Sequence, residues 1–264
     1  QLRGRLSFLL KDTFIYGFAV AISRAMALIT FPILARHFSV TNYGVLDYFM
    51  VLTAFLTTMF VFGQDSAVAR FFYEYQEKNV RRQIISQSLL FQIVSLIVFL
   101  PLFWMGGNLL SAYLVDTPER VLLFKIVLLH IPFTLLINFS QNLLKWTFSR
   151  IRFLIISLGF SLVHTTMLVI SVLGFDIGVK EVLLVSLATN AIFGFLGFLF
   201  VRQWLVIPQR FVHLKEMLPF AIPYGVICVF GAFTPTLERT MISGLLTSAD
   251  LGLYAVATKI SMLI

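Results

Sequence analysis

The chain has 264 residues, of which 59% are hydrophobic, 29 are Phe and only 12% are charged; a soluble domain carries about 25% charged residues, so this composition cannot cover a water-facing surface. A net charge of +8 would suit nucleic acid only if the basic residues gathered on one soluble face, and here they lie in short groups between apolar runs. The single cysteine, Cys228, sits within an apolar run, which excludes a disulfide framework and paired thiolate metal ligands.

Apolar windows long enough to cross a hydrocarbon core of roughly 30 Å are predicted at 13–35, 44–63, 85–105, 120–142, 153–175, 181–201 and 217–240, with an eighth beginning near 252. The fold class is therefore an all-α polytopic membrane protein. In the first span Arg24 lies near the midplane, with Ser23 beside it and Tyr16 two turns below. An ionisable group at that depth costs about 2.5–3.5 kcal/mol on insertion scales, and it faces a protein interior or a water-filled cavity. Asp12, Asp47 and Asp65 all fall at span ends, so no acid is expected at the depth of Arg24. An uncompensated cation there suits an anionic ligand; the competing reading is a structural Arg on a buried carboxylate or carbonyl.

After the second span, Arg70 to Arg82 with Phe71, Phe72, Tyr73 and Tyr75 form a basic, aromatic interfacial segment, with Asp65 and Arg70 expected to pair. Gly106-Gly107-Asn108 reads as a turn following the third span. The fourth span carries His130 and a stripe of Asn138, Gln141, Asn142 and Lys145 at helical spacing, the polar face a water-filled cavity needs. His164 in the fifth span and His130 in the fourth are candidate proton carriers, with a hydrogen-bonded packing role as the alternative. Residues 202–218 read as a cytoplasmic linker that could form an amphipathic helix on the membrane surface. Glu238 and Arg239 come late in the seventh span, near the outer leaflet, and point apart because adjacent helical residues do not face each other. Glu238 is a further candidate for proton coupling, and Lys259 is a further cation in the eighth span.

Arg3, Arg5 and Lys11, then Arg70, Lys78, Arg81 and Arg82, then Lys145, Arg150 and Arg152, then Arg202, Arg210 and Lys215 all fall on one side of these spans. The other side has only Arg36, Arg120 and Lys180, which predicts a cytoplasmic amino terminus. Tyr16 to Gly44 is followed 208 positions later by Tyr224 to Gly252, with Tyr-Gly, an apolar run and a Ser/Thr-led cap in the same places. Six spans separate the two starts, so both copies enter the membrane in one direction, as in a parallel repeat about the membrane normal. The expected division is a six-helix lobe at 1–201, a linker at 202–218, and at 219–264 the first one to two helices of a second lobe, with both chain ends reading as cut. Phosphate loops, zinc-hydrolase helices and nucleophile elbows have no match in the sequence. No enzyme activity, cofactor or metal is therefore expected.

Asp12-Thr13-Phe14-Ile15-Tyr16-Gly17, Arg24, and Phe31-Pro32-Ile33-Leu34-Ala35-Arg36-His37-Phe38-Ser39-Val40-Thr41-Asn42-Tyr43-Gly44 together resemble the first helical hairpin of the bacterial polysaccharide-transport, or oligosaccharide flippase, family. That family belongs to the multidrug/oligosaccharidyl-lipid/polysaccharide exporter superfamily. Gly63 to Glu74 resembles its next segment, and Leu218 to Pro223, Glu238-Arg239, Gly252-Leu253-Tyr254 and Lys259 resemble the start of its second lobe, where Glu238 replaces the family's usual Asp. The resemblance implies two six-helix lobes around a V-shaped cavity open alternately to each side of a bacterial plasma (inner) membrane. It implies as substrate an oligosaccharide on an undecaprenyl pyrophosphate carrier, moved to the outer leaflet for surface polysaccharides such as lipopolysaccharide O-antigen. Arg24 would then meet the diphosphate, with Arg239 and Lys259 as secondary contacts and Asn138 and Asn142 on the cavity wall. The implied partners are membrane lipid and a glycan polymerase or other assembly proteins, without nucleic acid. A cation-coupled multidrug antiporter of the same superfamily, a membrane enzyme of glycan assembly, and a scaffold are the alternatives.

Overall fold

The computed structural model describes the backbone of residues 2–114, 118–208 and 210–261, and the side chains of 13–106, 120–208 and 210–261. Among the described residues the chain is helical, with no strand: α1 (Leu2–His37), α2 (Val40–Val61), α3 (Gln64–Glu74), α4 (Lys78–Leu114), α5 (Pro118–Trp146), α6 (Arg150–Phe175), α7 (Val179–Val201), a 3-10 turn (Arg202–Trp204), α8 (Val212–Leu245) and α9 (Ser248–Ser261). Seven of these, all but α3 and α9, are long and apolar enough to cross a membrane, and they coincide with the predicted windows. The basic group Arg3, Arg5 and Lys11 lies outside the described side chains.

Three local expectations need correcting. Gly106, Gly107 and Asn108 are not a turn, because α4 runs through them to Leu114. The segment after the second span is a separate helix, set off by two consecutive left-handed residues, Phe62 (φ 42°) and Gly63 (φ 72°). Within α3, Asp65 and Arg70 do not pair: Asp65 accepts from the Ser66 N–H at 2.8 Å, and the Arg70 guanidinium sits 4.8 Å over the ring of Phe220. The stretch after α7 is no amphipathic helix either. It is the short 3-10 turn and an irregular strap held on α4, and α8 has already begun at Val212. Ser86 Oγ accepts from the Val206 N–H at 2.8 Å. Gln87 uses both ends of its amide, donating to the Arg210 carbonyl at 2.7 Å and accepting from the Leu214 N–H at 2.8 Å.

The connectors meet at two ends of the bundle. At the basic end, Tyr73 donates to the Trp146 carbonyl at 3.4 Å and Arg82 to the Leu205 carbonyl at 3.3 Å, while the rings of Phe72, Trp146 and Trp204 cluster with the Arg81 guanidinium. At the opposite end, His37 contacts the Ile177 carbonyl at 3.0 Å and Arg120 donates to Ser248 at 2.8 Å. Between them, α5 runs through the middle of the packing and buries Leu123, Val127, Leu128, Ile131, Leu135, Leu143 and Leu144.

The α8–α9 hairpin copies the α1–α2 hairpin down to its cap. Ser39 Oγ accepts from the Asn42 N–H at 3.2 Å, and 208 positions on Thr247 Oγ1 accepts from the Asp250 N–H at 3.2 Å. Asp250 returns the bond by accepting from the Thr247 hydroxyl at 2.6 Å and the Thr247 N–H at 3.0 Å, a reciprocal cap that holds its carboxyl below the usual carboxylate range. Both α8 and α9 lie against α2. Where α2 meets α9, the repeat-equivalent glycines face each other: a Cβ on Gly44 would stand 2.6 Å from the Gly252 nitrogen, and one on Gly252 would run into the Val40 carbonyl. At the basic end a Cβ on Gly63 would stand 2.7 Å from the Gly225 nitrogen. Helices without a hydrophobic drive between them approach this closely only through small residues.

Candidate functional site

The polar side chains of the spans gather in three places. The first is a cavity of about 560 Å³ walled by α1, α5, α6 and α7. Arg24 enters it from α1 beside Ser23, opposite Thr134, Asn138 and Gln141 of α5 and Ser157, Ser161 and His164 of α6, with Asn190 of α7 at its side. Arg24 is exposed there and has no hydrogen-bond or ion-pair partner among the described residues. The wall carries no carboxylate. Tyr16, placed by its spacing near the same face, instead packs edge-on against Phe153 at 4.9 Å.

His164 is stacked on Phe160 with ring centroids 5.4 Å apart, and its Nε2 lies 3.1 Å from Ser186 Oγ. Ser186 Oγ also lies 2.9 Å from the Val182 carbonyl, and when it donates there its remaining lone pairs suit an imidazole carrying its proton on Nε2. Asn190 is held on both sides, accepting from Thr134 at 3.2 Å and donating to the Ser186 carbonyl at 2.8 Å. His130 faces its own helix, with Nδ1 2.9 Å from the Ile126 carbonyl, and is buried in packing rather than on a cavity wall.

A second cavity, of about 350 Å³, opens at the basic end between α2, α3, α4, α5 and α8. The predicted stripe of Asn138, Gln141, Asn142 and Lys145 forms one wall, with Gln92, Asp65 and Trp146 around it and Cys228 contributed by α8. Asn138 and Gln141 border both cavities. The two therefore adjoin along α5, and a single ligand could lie across them.

The third place is an ion cluster near the opposite end, where α2 meets α8 and α9. Arg239 donates from Nε to Asp47 Oδ2 at 2.7 Å, with both side chains almost fully buried, 5% and 2% exposed. Lys259 Nζ lies 3.7 Å from the other carboxylate oxygen. Arg239 also donates to the Pro235 carbonyl at 3.0 Å and stands 5.5 Å over the Tyr254 ring. Tyr254 in turn donates to Glu238 at 2.6 Å. The geometry thus brings Arg24, Asn138 and His164 into one cavity and Asn142 into its neighbour. Arg239 and Glu238 line neither: Arg239 and Lys259 share Asp47, and Glu238 is taken by Tyr254. Lys259 and Asp47 line a smaller void that shares Ala27, Thr30 and Met50 with the Arg24 cavity.

Asp47 is the residue that sequence reasoning passed over, because it was grouped with acids at span ends. A signal was available. Asp47 follows the Ser39 cap by eight residues and Arg239 precedes Leu246 by seven, which sets the two charges at matching depth on hairpins joined by their glycines.

The chain is 22% identical over 263 residues to an uncharacterized membrane protein of Haemophilus influenzae, covering 97% of this chain and 61% of that protein. It is 21% identical over 263 residues to the Lsg locus putative protein 1 of the same organism, covering 96% of this chain and 61% of that protein. The chain thus spans about three fifths of the length of these relatives. No solved structure matches it. The family model described as polysaccharide biosynthesis protein matches residues 9–264, nearly the whole chain, and with its seven long apolar helices the chain belongs to that family of multi-pass membrane proteins.

Proposed function

We propose that this chain forms the first six-helix lobe, and the opening of the second, of a flippase that moves an undecaprenyl-pyrophosphate-linked oligosaccharide from the cytoplasmic to the outer leaflet for surface polysaccharide assembly. The observation that carries the reading is Arg24, a cation deep in an apolar helix with no counter-ion among the described residues, on the wall of a cavity whose other polar groups are hydroxyls, amides and an imidazole set among apolar side chains. A diphosphate and its sugars cannot enter hydrocarbon, where their polar groups would lose water without replacement. A wall of this kind supplies hydrogen bonds to the sugar and charge to the phosphates, while the polyprenyl tail stays in lipid.

On this reading the basic end is cytoplasmic, and the polar stripe of α5 leads inward from it to Arg24. Alternating access follows from rocking of the two lobes, with α2 and its glycine contacts as the seam. In the conformation described, Arg239 and Lys259 are both engaged by the one carboxylate of Asp47, so a part as secondary diphosphate contacts requires that seam to part. On this reading His164, on the wall opposite Arg24, couples proton movement to the cycle. Asn138 and Asn142 line the path. The antiporter alternative would need an available carboxylate in the first lobe, and the buried one, Asp47, is occupied by two cations.

The test is leaflet translocation by the full-length protein in liposomes containing an undecaprenyl-pyrophosphate oligosaccharide, with wild type compared with Arg24→Ala. Translocation lost in a variant that still inserts and folds is the expected result. Translocation retained at the wild-type rate would remove Arg24 from the mechanism, and drug or cation flux in place of lipid flux would favour the antiporter.

A further inference from the structure

The two adjoining cavities differ in charge. The Arg24 cavity has a cation and no acid on its wall. The basic-end cavity carries one of each, Asp65 from α3 and Lys145 from α5, so it exerts no net pull on an anion. What it offers is neutral hydrogen bonding. Asn138, Gln141 and Asn142 each present two donors and an acceptor, and none has a side-chain partner among the described residues. Gln92, only 3% exposed, makes a single long donor contact to Ser88 at 3.4 Å. Unpaired amides at such a depth are costly unless they meet water or a ligand.

We infer that the basic-end cavity is a subsite for one uncharged sugar unit, the one joined directly to the diphosphate of the carrier; this rests on the flippase reading above. A pyranose ring carries hydroxyls around its rim, each both donor and acceptor, and apolar C–H faces above and below. The carboxamides of Gln92 and Asn142 match the rim, and the Trp146 ring gives a flat apolar surface for a face. The volume of about 350 Å³ lies within the roughly 300–1,000 Å³ of small-molecule sites. The shared border at Asn138 and Gln141 then sets the sugar next to the anion position at Arg24. An acidic sugar is disfavoured, because its carboxylate would displace the balance between Lys145 and Asp65. The subsite therefore selects for a neutral first sugar.

Cys228 lines this cavity from α8 and serves as a native reporter. The experiment measures, by mass spectrometry of the full-length protein in nanodiscs, the rate at which Cys228 reacts with a small thiol reagent in the presence of free glucose, N-acetylglucosamine, glucuronate or inorganic pyrophosphate. A sugar at about twice its Kd leaves roughly a third of sites empty, so a neutral sugar that binds should slow the reaction about threefold. Gln92→Ala and Asn142→Ala should each lose that protection while the rate without sugar stays at the wild-type value, which shows that the cavity is intact. Arg24→Ala should keep it. Protection by glucuronate or pyrophosphate equal to that by neutral sugars, or no protection by any sugar, overturns the inference. The outcome is separable from the translocation assay. Sugar protection without translocation leaves the subsite standing and removes the flippase reading, and translocation without sugar protection does the reverse.

Discussion

The Asp47–Arg239 pair makes a sharp prediction about what holds α8 and α9 to α2. Asp47→Ala leaves the Arg239 guanidinium buried with only the Pro235 carbonyl at 3.0 Å and the Tyr254 ring at 5.5 Å for company. Removing one partner of a buried pair costs about 3–5 kcal/mol, chiefly the penalty of the charge left behind. Arg239→Ala should cost a similar amount, because Asp47 then keeps only Lys259 at 3.7 Å. Lys259→Ala should cost less than about 1 kcal/mol, since a pair with one side chain 41% exposed is weakened by solvent. The double replacement Asp47→Leu with Arg239→Met removes both charges from a site only 2–5% exposed, and it should recover most of the loss or exceed wild type. The assay is unfolding of the full-length protein in detergent, with each single variant and the double replacement compared with wild type; the double replacement should lose far less than the sum of the two single losses. Single variants as stable as wild type, or a double variant losing the sum of the two single losses, would refute the reasoning.

Two further outcomes follow from the packing. Gly44→Ala and Gly252→Ala should each force α2 and α9 apart and lower stability, because the added methyl meets backbone that cannot turn aside. Gly17→Ala and Gly244→Ala, where an added Cβ meets nothing within 4 Å, should be neutral or gain up to roughly 1 kcal/mol in helix propensity; the same unfolding assay separates the pairs. The strap after α7 should be protected by its hydrogen bonds to Ser86 and Gln87, each worth about 0.5–1.5 kcal/mol. Trypsin should cut at Arg210 markedly faster in Ser86→Ala/Gln87→Ala than in wild type, and equal rates would show that the strap is held by something else.

The spans were legible in the sequence because twenty apolar residues in a row leave a chain few choices, and the duplicated hairpin was legible from its cap spacing. Gly106 to Asn108 misled because glycine marks a turn in soluble chains, whereas in a membrane helix it is tolerated where the backbone bonds are otherwise kept. The end of the second span at 63 was legible, but that the segment at 64–74 forms a helix of its own was not, since the break rests on the backbone angles of Phe62 and Gly63. Arg24 was found because a lone cation at midspan is visible in one helix alone. Asp47 was missed for the converse reason. Its meaning depends on Arg239 and Lys259, nearly two hundred or more residues away, and the pair shows only when the two hairpins are laid side by side and their depths compared. The contact between Asn138 of one cavity and the other is likewise a property of how α5 is rotated, which its stripe suggested without saying what lay opposite.

The meeting of Gly44 with Gly252 has one more implication. When two copies of a unit touch at the same position, that position lies on the axis relating them, as at the isologous interface of a homodimer. Perfect symmetry would then place a second bridge across the axis, between the counterparts of Asp47, Arg239 and Lys259. Those counterparts are Ala255, Phe31 and Val51, none of which can form one. The interface is therefore tied on the α2–α8 side and untied on the α1–α9 side, where a void of about 120 Å³ lies between Thr30, Phe31 and Lys259. Duplication made the two sides alike, and divergence left one as a fastening and the other as a gap.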